Sequence, residues 1–459
     1  MKAPYAFYLA EDPDNTILDS AIASVRFAAR VCDDPGDGTL RCQSMDAIPD
    51  GTLVAFRERM IDGVGYCTDS VFAANQLIRL GRLLDSPGMI RFGERLAEHA
   101  FNGGFFDDAK LPVRLYLVLG SNQFLDNLEG HQTYIEPGHM ARVGHQLLML
   151  SDVVNDEMAS RAREAGARIA MWATTLERCA NGWFPRRSTP EGRAFPNAAD
   201  AFGPVSLGAP LPQDPIHDRS GSGVLILQLL VEAHARGLGD FSAAISDTIG
   251  AFIEAGGHFG STNSDTEDLQ ENVTYAMAFQ ALHAAGKLFD RQDWVDFAYT
   301  DCLEPLVRFE LVEDLNGLAT KGLLYMEDSW NAACTWEIAE AAQAYLVAFG
   351  DRGRRPDLHK ALTMLRGLAK HHHGPHGFLT EAVDWDGHSV VTRHMDGLRY
   401  SDIVTTHPFL NNLHVVEPTV TFLERFAVRS AVDGVEAYYD PEGNRLGPTR
   451  LEGADWLPS

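Results

Sequence analysis

The sequence predicts an all-α protein, an (α/α)6 barrel in which six inner helices form a ring and six outer helices surround it. Three observations predict it. The first is a turn that recurs along the 459 residues, pairing a small or polar residue with Gly and then a large side chain. It reads Gly103-Gly104-Phe105, Asn181-Gly182-Trp183, Gly256-Gly257-His258, Asn316-Gly317-Leu318 and His376-Gly377-Phe378. The middle glycines are 78, 75, 60 and 60 residues apart, a period that fits one pair of helices plus loops. Each turn follows a charged helical segment, where a glycine in the left-handed conformation would end the helix.

The second observation is the number of helical segments. Apolar periodicity and stop signals give twelve, at 15–32, 68–84, 88–103, 138–154, 159–179, 220–237, 240–256, 271–288, 290–309, 329–350, 355–372 and 411–428. The connection from an even-numbered segment to the next odd one is short. The reverse connection is usually long. The third observation is that composition alternates in the same rhythm. Even segments are poor in charge, as in the run from Val224 to Val231 or from Ile338 to Val347, and a helix apolar nearly all round is buried. Odd segments carry charged faces, as with Arg161, Arg163, Glu164 and Arg168, or Arg91, Glu94, Arg95 and Glu98. The first segment is then outer and the last inner, so the ends meet and close the ring. An open solenoid of helix pairs is the structural rival. The whole chain, 1–459, reads as one catalytic domain with a short C-terminal extension from about 430, where Val435-Glu436-Ala437-Tyr438-Tyr439 suggests a strand or hairpin.

Composition narrows the function. A formal net charge of -26 argues against a nucleic-acid or acidic-membrane partner, because both repel such a surface. Apolar runs fall far short of a membrane span. Met1-Lys2-Ala3-Pro4 does not begin a secretory signal, and none of the six cysteines forms a C-x-x-C pair. A cytoplasmic protein with reduced thiols is expected, with no metal and no cofactor. A homo-oligomer is compatible with the sequence.

The long loops all enter the inner helices at their N-termini, so they share one end of the barrel. The unusual residues collect there. Asp69 precedes helix two, Glu136 and His139 open helix four, and His217 precedes helix six. Glu271, Asn272 and Tyr275 open helix eight, and Asp328 and Trp330 open helix ten. Asn412, His414 and Glu417 belong to helix twelve. Caps explain part of this, since Asp, Asn, Ser and acidic first turns suit a helix N-terminus. For Asp69 or Asp328 alone, capping is at least as good a reading as catalysis. His371-His372-His373 reads as a solvated helix end. Caps do not explain His139, Tyr275, Trp330 and His414 gathering beside the carboxylates. Aromatics, carboxylates and imidazoles in one concave mouth are what a sugar site needs. Phosphate-binding and dinucleotide glycine loops, His-Glu-x-x-His, a nucleophile elbow and an aspartate-rich cyclase motif are all missing.

On these features the chain resembles the six-hairpin glycosidases, whose members on (α/α)6 barrels include hydrolases, lyases and sugar epimerases. Glu136-Pro137-Gly138-His139 is similar to the E-P-G-H motif of N-acylglucosamine 2-epimerases, and Asn412-Leu413-His414-Val415-Val416-Glu417 to their N-M-H-L-L-E stretch. The resemblance implies proton transfer at the sugar's C1 and C2 by His139 and His414. Arg142 stands where those enzymes have Glu, and the two motifs occur in reversed order.

The leading expectation is therefore a glycosidase acting on a small sugar substrate. One carboxylate pair among Asp69, Glu136, Glu271 and Asp328 would be general acid and base. His139 and His414 would assist, and Tyr275, Trp330, Asn272, Asn412, His217 and Glu417 would bind sugar. The alternatives are an epimerase or isomerase using His139 and His414, and a uronate lyase with Tyr275 as base. A non-catalytic helical scaffold is the reading from another class.

Overall fold

The computed structural model describes residues 16–42, 45–47, 53–55, 61–63, 69–103, 105, 116–118, 123–125, 135–189, 191–194, 216–260, 262, 268–315, 319–328, 331–371, 379–383, 385–386, 392–395, 398–401, 409–432 and 434–451. Trp330 lies outside them, as do His372 and His373 and the turn glycines Gly104, Gly317 and Gly377.

The inner ring consists of α2 (Asp69–Leu83), α4 (Pro137–Leu150), α6 (Ser222–Ala235), α8 (Asn272–Leu288), α10 (Thr335–Arg352) and a last, broken helix, α12 (Leu410–His414) with α13 (Val416–Arg425). Each packs on the next in that order, and α13 returns to α2, so the ring is closed. The outer helices are α1 (Ile17–Val31), α3 (Pro87–Asn102), α5 (Asp156–Ala173), α7 (Ser242–Glu254), α9 (Gln292–Phe297) with its continuation to Phe309, and α11 (Arg355–His371). Helix α1 sits between α11 and α12–α13, joining the first hairpin to the last.

Sequence explains the helix ends. Thr16 caps α1 by accepting from the Asp19 N–H at 3.1 Å while Asp19 answers with its carboxylate, a capping box. Pro87 and Pro137 occupy first-turn positions of α3 and α4, where a missing N–H costs nothing. After α7, Gly256 and Gly257 take φ of +71° and +75°, the left-handed stop the turn motif predicts. Gly103 differs, remaining right-handed at φ -77°.

Four elements depart from the expected segments; the helix expected at 159–179 runs Asp156–Ala173 and so ends six residues early. The helix expected at 290–309 is α-helical only to Phe297. It widens to a π-helix over Ala298–Leu303 and tightens to a 3-10 helix over Glu304–Phe309, because Pro305 would strip one hydrogen bond and clash with the Asp301 carbonyl. The last inner helix breaks at Val415 for the same reason, Pro418 standing four residues after His414. Helix α10 begins at Thr335 rather than 329, after the two-residue strand Ala333–Cys334.

The core lies between the rings. Helix α6 buries all of its apolar run, with only Gln228 half-buried. At the C-terminal side, strands Val428–Val432, Val435–Tyr439 and Arg445–Pro448 form an antiparallel sheet with Ser430 opposite Ala437. It packs on α1, and the Tyr438 hydroxyl donates to the Leu83 carbonyl at 2.9 Å. Among the described residues, no helix is long and apolar enough to cross a membrane.

Candidate functional site

Helix α4 carries His139 and Arg142 on one face, one turn apart. Arg142 reaches across the lumen. Its Nη2 donates to Glu340 Oε1 at 3.1 Å, and α10, which holds Glu340, lies three places round the ring from α4. The same Nη2 donates to His414 Nε2 on α12, and that nitrogen is 3.8 Å from Glu340 Oε1. Arginine has only donors, so His414 accepts with the Nε2 lone pair and a neutral ring carries its proton on Nδ1.

Two aromatic side chains wall this group. Phe72 of α2 stacks on the His414 ring at 4.5 Å, and Trp336 of α10 is 5.5 Å from it. The Arg142 guanidinium stands 5.5 Å from the Trp336 ring and 6.0 Å from Phe72, within the range of cation–π attraction. Burial pushes the Glu340 carboxyl up to about 7 against the pull of Arg142, with Glu417 adding to the rise. Burial raises Glu417 as well.

Above this floor, Glu136 at the N-cap position of α4 faces His139. Its Oε2 is 2.5 Å from His139 Nδ1, and Arg187 Nε is 3.8 Å from Oε1. Burial alone would raise the Glu136 carboxyl. The charge and hydrogen bond of His139, with the charges of Arg187 and Arg186, override it and hold the group at about 2. An ionised Glu136 this close to Nδ1 favours the ring proton there, which leaves His139 Nε2 with the lone pair.

The other described sequence candidates make different contacts. Glu271 is fully buried at the N-cap position of α8. It accepts from the Thr262 N–H at 2.7 Å, the Thr262 hydroxyl at 3.2 Å and the Thr274 hydroxyl at 3.0 Å. Burial still pushes it up to about 7. Asp328 is exposed on the rim, 2.5 Å from Arg308, and accepts from the Tyr325 hydroxyl at 3.3 Å. Tyr275 turns away from the ring, packing on Phe309 of the outer layer with its hydroxyl 3.3 Å from His258 Nδ1. Asn272 donates to the Tyr325 carbonyl at 2.7 Å, and Asn412 accepts from the Leu379 N–H at 2.8 Å, so both brace loops. His217 is half-buried in the turn before α6, its carbonyl accepting from the Arg186 N–H. Asp69 opens α2, its side chain outside the described part, and His371 likewise ends α11. Among the described residues, no group of three or more His, Cys, Asp or Glu side chains could hold a metal ion.

No protein-family model and no curated protein matches the chain in sequence. Solved structures do match in shape. Cellobiose 2-epimerase from Bacillus thermoamylovorans superposes with a TM-score of 0.62 at 11% identity, covering 89% of this chain and 99% of that one. A D-mannose isomerase gives 0.56 at 10% identity over 89% and 97%. The family 76 α-mannanase from Bacteroides thetaiotaomicron gives 0.55 at 9% identity over 90% and 99%. The fold is that of the six-hairpin glycosidases. Identities this low establish the fold and leave the chemistry to the residues in the lumen.

Of the residues the sequence nominates, His139, Glu136, His414 and Glu417 gather round Arg142, together with Glu340, Phe72 and Trp336, which the sequence does not single out as site residues. A signal for Glu340 was available: an acidic residue amid the Ala-rich run of a buried helix needs a partner.

Proposed function

We propose that the barrel is a sugar-processing enzyme that moves a proton between neighbouring carbons of an open-chain aldose, as an aldose–ketose isomerase or 2-epimerase. One observation carries this reading. Arg142, one turn beyond His139, touches His414, so two imidazoles flank one guanidinium between aromatic walls. His139 Nε2, with ionised Glu136 behind Nδ1, is placed to take the proton from the carbon beside the carbonyl. The C–H electrons form a carbon–carbon double bond and the carbonyl oxygen becomes an oxyanion, which Arg142 stabilises. A proton returned to the neighbouring carbon, while the hydroxyl proton of the first carbon passes to the oxyanion, gives the ketose. One returned to the opposite face of the same carbon gives the epimer. His414, on the far side of Arg142, delivers it once Arg142 turns to the oxyanion and the freed Nε2 takes up a proton. The sugar epimerase and isomerase among the structural neighbours are compatible with this chemistry on the same frame.

Hydrolysis stands first in sequence and second in geometry. Glu136 is committed to His139, Glu271 is sealed beneath threonines, and Asp328 lies exposed on Arg308. One observation favours a glycosidase all the same. At about 7, buried Glu340 keeps its proton near neutrality beside Glu417, as a general acid must.

Incubation in D2O with a panel of free aldoses and aryl glycosides separates the two. The expected result is a ketose or epimer carrying deuterium at C1 or C2, with glycosides intact. Release of reducing ends without deuterium in the sugar would overturn the proposal in favour of hydrolysis.

A further inference from the structure

Two of the recurring turns that predicted the fold, Asn181-Gly182-Trp183 and Gly256-Gly257-His258, face each other outside the lumen at the mouth end of the barrel. Between them lies a cleft of about 610 Å³, lined among others by Asn181, Arg219, Glu254, His258, Phe259 and Leu269. That volume falls within the range of small-molecule sites. Tyr275, turned away from the lumen, stands behind it through His258.

One aromatic side chain, Phe259, lines the cleft, and buried aromatics support it from behind. Phe259 stacks on Trp183 at 4.1 Å, and Phe252 backs both at 5.7 and 6.0 Å. The Trp183 indole N–H donates to the Ser220 carbonyl at 2.7 Å, tying those aromatics to the start of α6. Its polar rim is oriented rather than loose. His258 Nδ1 lies 3.3 Å from Gln270 Nε2 and 3.3 Å from the Tyr275 hydroxyl. An amide nitrogen only donates, so Nδ1 accepts and the ring proton is on Nε2. His258 thus offers one fixed donor. Exposed Glu254 offers acceptors and exposed Arg219 a guanidinium. Arg219 lies 3.6 Å from Asp218, so with Glu254 the rim has no net positive charge, which suits a polyhydroxylated neutral ligand better than a uronate or a phosphate.

We infer that this cleft is a second carbohydrate-binding site that takes a neutral sugar unit of an oligosaccharide. The inference rests on the reading of the lumen as a sugar site for its substrate class, but the cleft shares no lining residue with the lumen.

Binding of cellotriose, maltotriose and mannotriose, measured by calorimetry, tests it on the full chain. Glu254→Ala and His258→Ala replace exposed side chains, and melting curves establish that each variant folds. The expected result is that at least one trisaccharide binds at least tenfold more weakly to both variants, while turnover of free aldoses is unchanged. His139→Asn, lacking turnover, should keep the cleft affinity, so a wrong reading of the lumen would not imitate failure at the cleft. Unchanged trisaccharide binding in both folded variants, or tighter binding of an oligouronate than of any neutral trisaccharide, would overturn the assignment.

Discussion

Glu136 and Glu271 occupy the same place in two different hairpins. Each is the N-cap residue of an inner helix, α4 in one case and α8 in the other, and each is buried. Neither side chain caps its helix. Their carboxyls nonetheless move in opposite directions, Glu136 to about 2 and Glu271 to about 7. Burial penalises both charges. The difference lies in what faces them: an imidazole and two guanidinium groups for Glu136, and two threonines for Glu271, with Arg186 a weaker influence. Hydroxyls can share a proton with a carboxylic acid, whereas cations hold the carboxylate. Position in the repeat sets where a side chain sits, and its neighbours set what it can do.

The sharpest way to break this comparison is activity. Glu136→Gln keeps the shape but removes the anion behind His139, so kcat should fall by about 100- to 10,000-fold. Glu271→Gln should leave kcat within about threefold, because glutamine can make the hydrogen bonds of a protonated carboxyl. Steady-state kinetics on whichever aldose is turned over decides it. Equal losses in the two variants would mean that both carboxyls serve the site.

Stability sharpens the comparison next. Glu136 titrates below its ordinary 4.5, so its contribution is complete above that pH and is lost as pH falls through about 2. Glu271 titrates above 4.5, so its contribution is complete below that pH and is lost as pH rises through about 7. Each shift corresponds to a change on the order of 3 kcal/mol. Glu271→Gln should therefore melt close to the parent at pH 4.5 and several degrees above it at pH 8. Glu136→Gln should melt below the parent at pH 7. Calorimetry at the three pH values checks the signs, and a Glu271→Gln variant less stable than the parent at pH 8 would contradict the assignment.

The smallest effect belongs to Asp328, whose partner Arg308 is also exposed. Asp328→Asn should change stability by less than about 0.5 kcal/mol and leave kcat unaltered. A large loss of activity there would move the site from the lumen to the rim.

These contrasts mark what could be read from the sequence. The ring was legible because helical periodicity is local and recurs in twelve segments, and charge and loop length alternate over six pairs of them. The His139–Glu136 pair was legible because it spans three residues of one motif. Arg142 was not, since its partners Glu340 and His414 stand 198 and 272 residues away and meet it only when the ring closes. Tyr275 misled for a finer reason. Gln280, which hydrogen-bonds Glu340 in the lumen, shares a helix face with Ala276 four residues earlier. Tyr275 is one residue, about 100°, off that face, and a mouthful of aromatic and acidic residues does not reveal which way each is turned.

Because α13 returns to α2, no hairpin among the described residues is an end hairpin. An open stack of repeats can melt inward from a loose terminal unit. A ring offers no such starting point, since every unit is clamped on both sides and Arg142 also ties α4 to α10 across the middle. Unfolding of the inner helices should therefore be all-or-none. In native-state hydrogen exchange, the slowest amides of all six should open with one common free energy rather than along a gradient from one helix to the next.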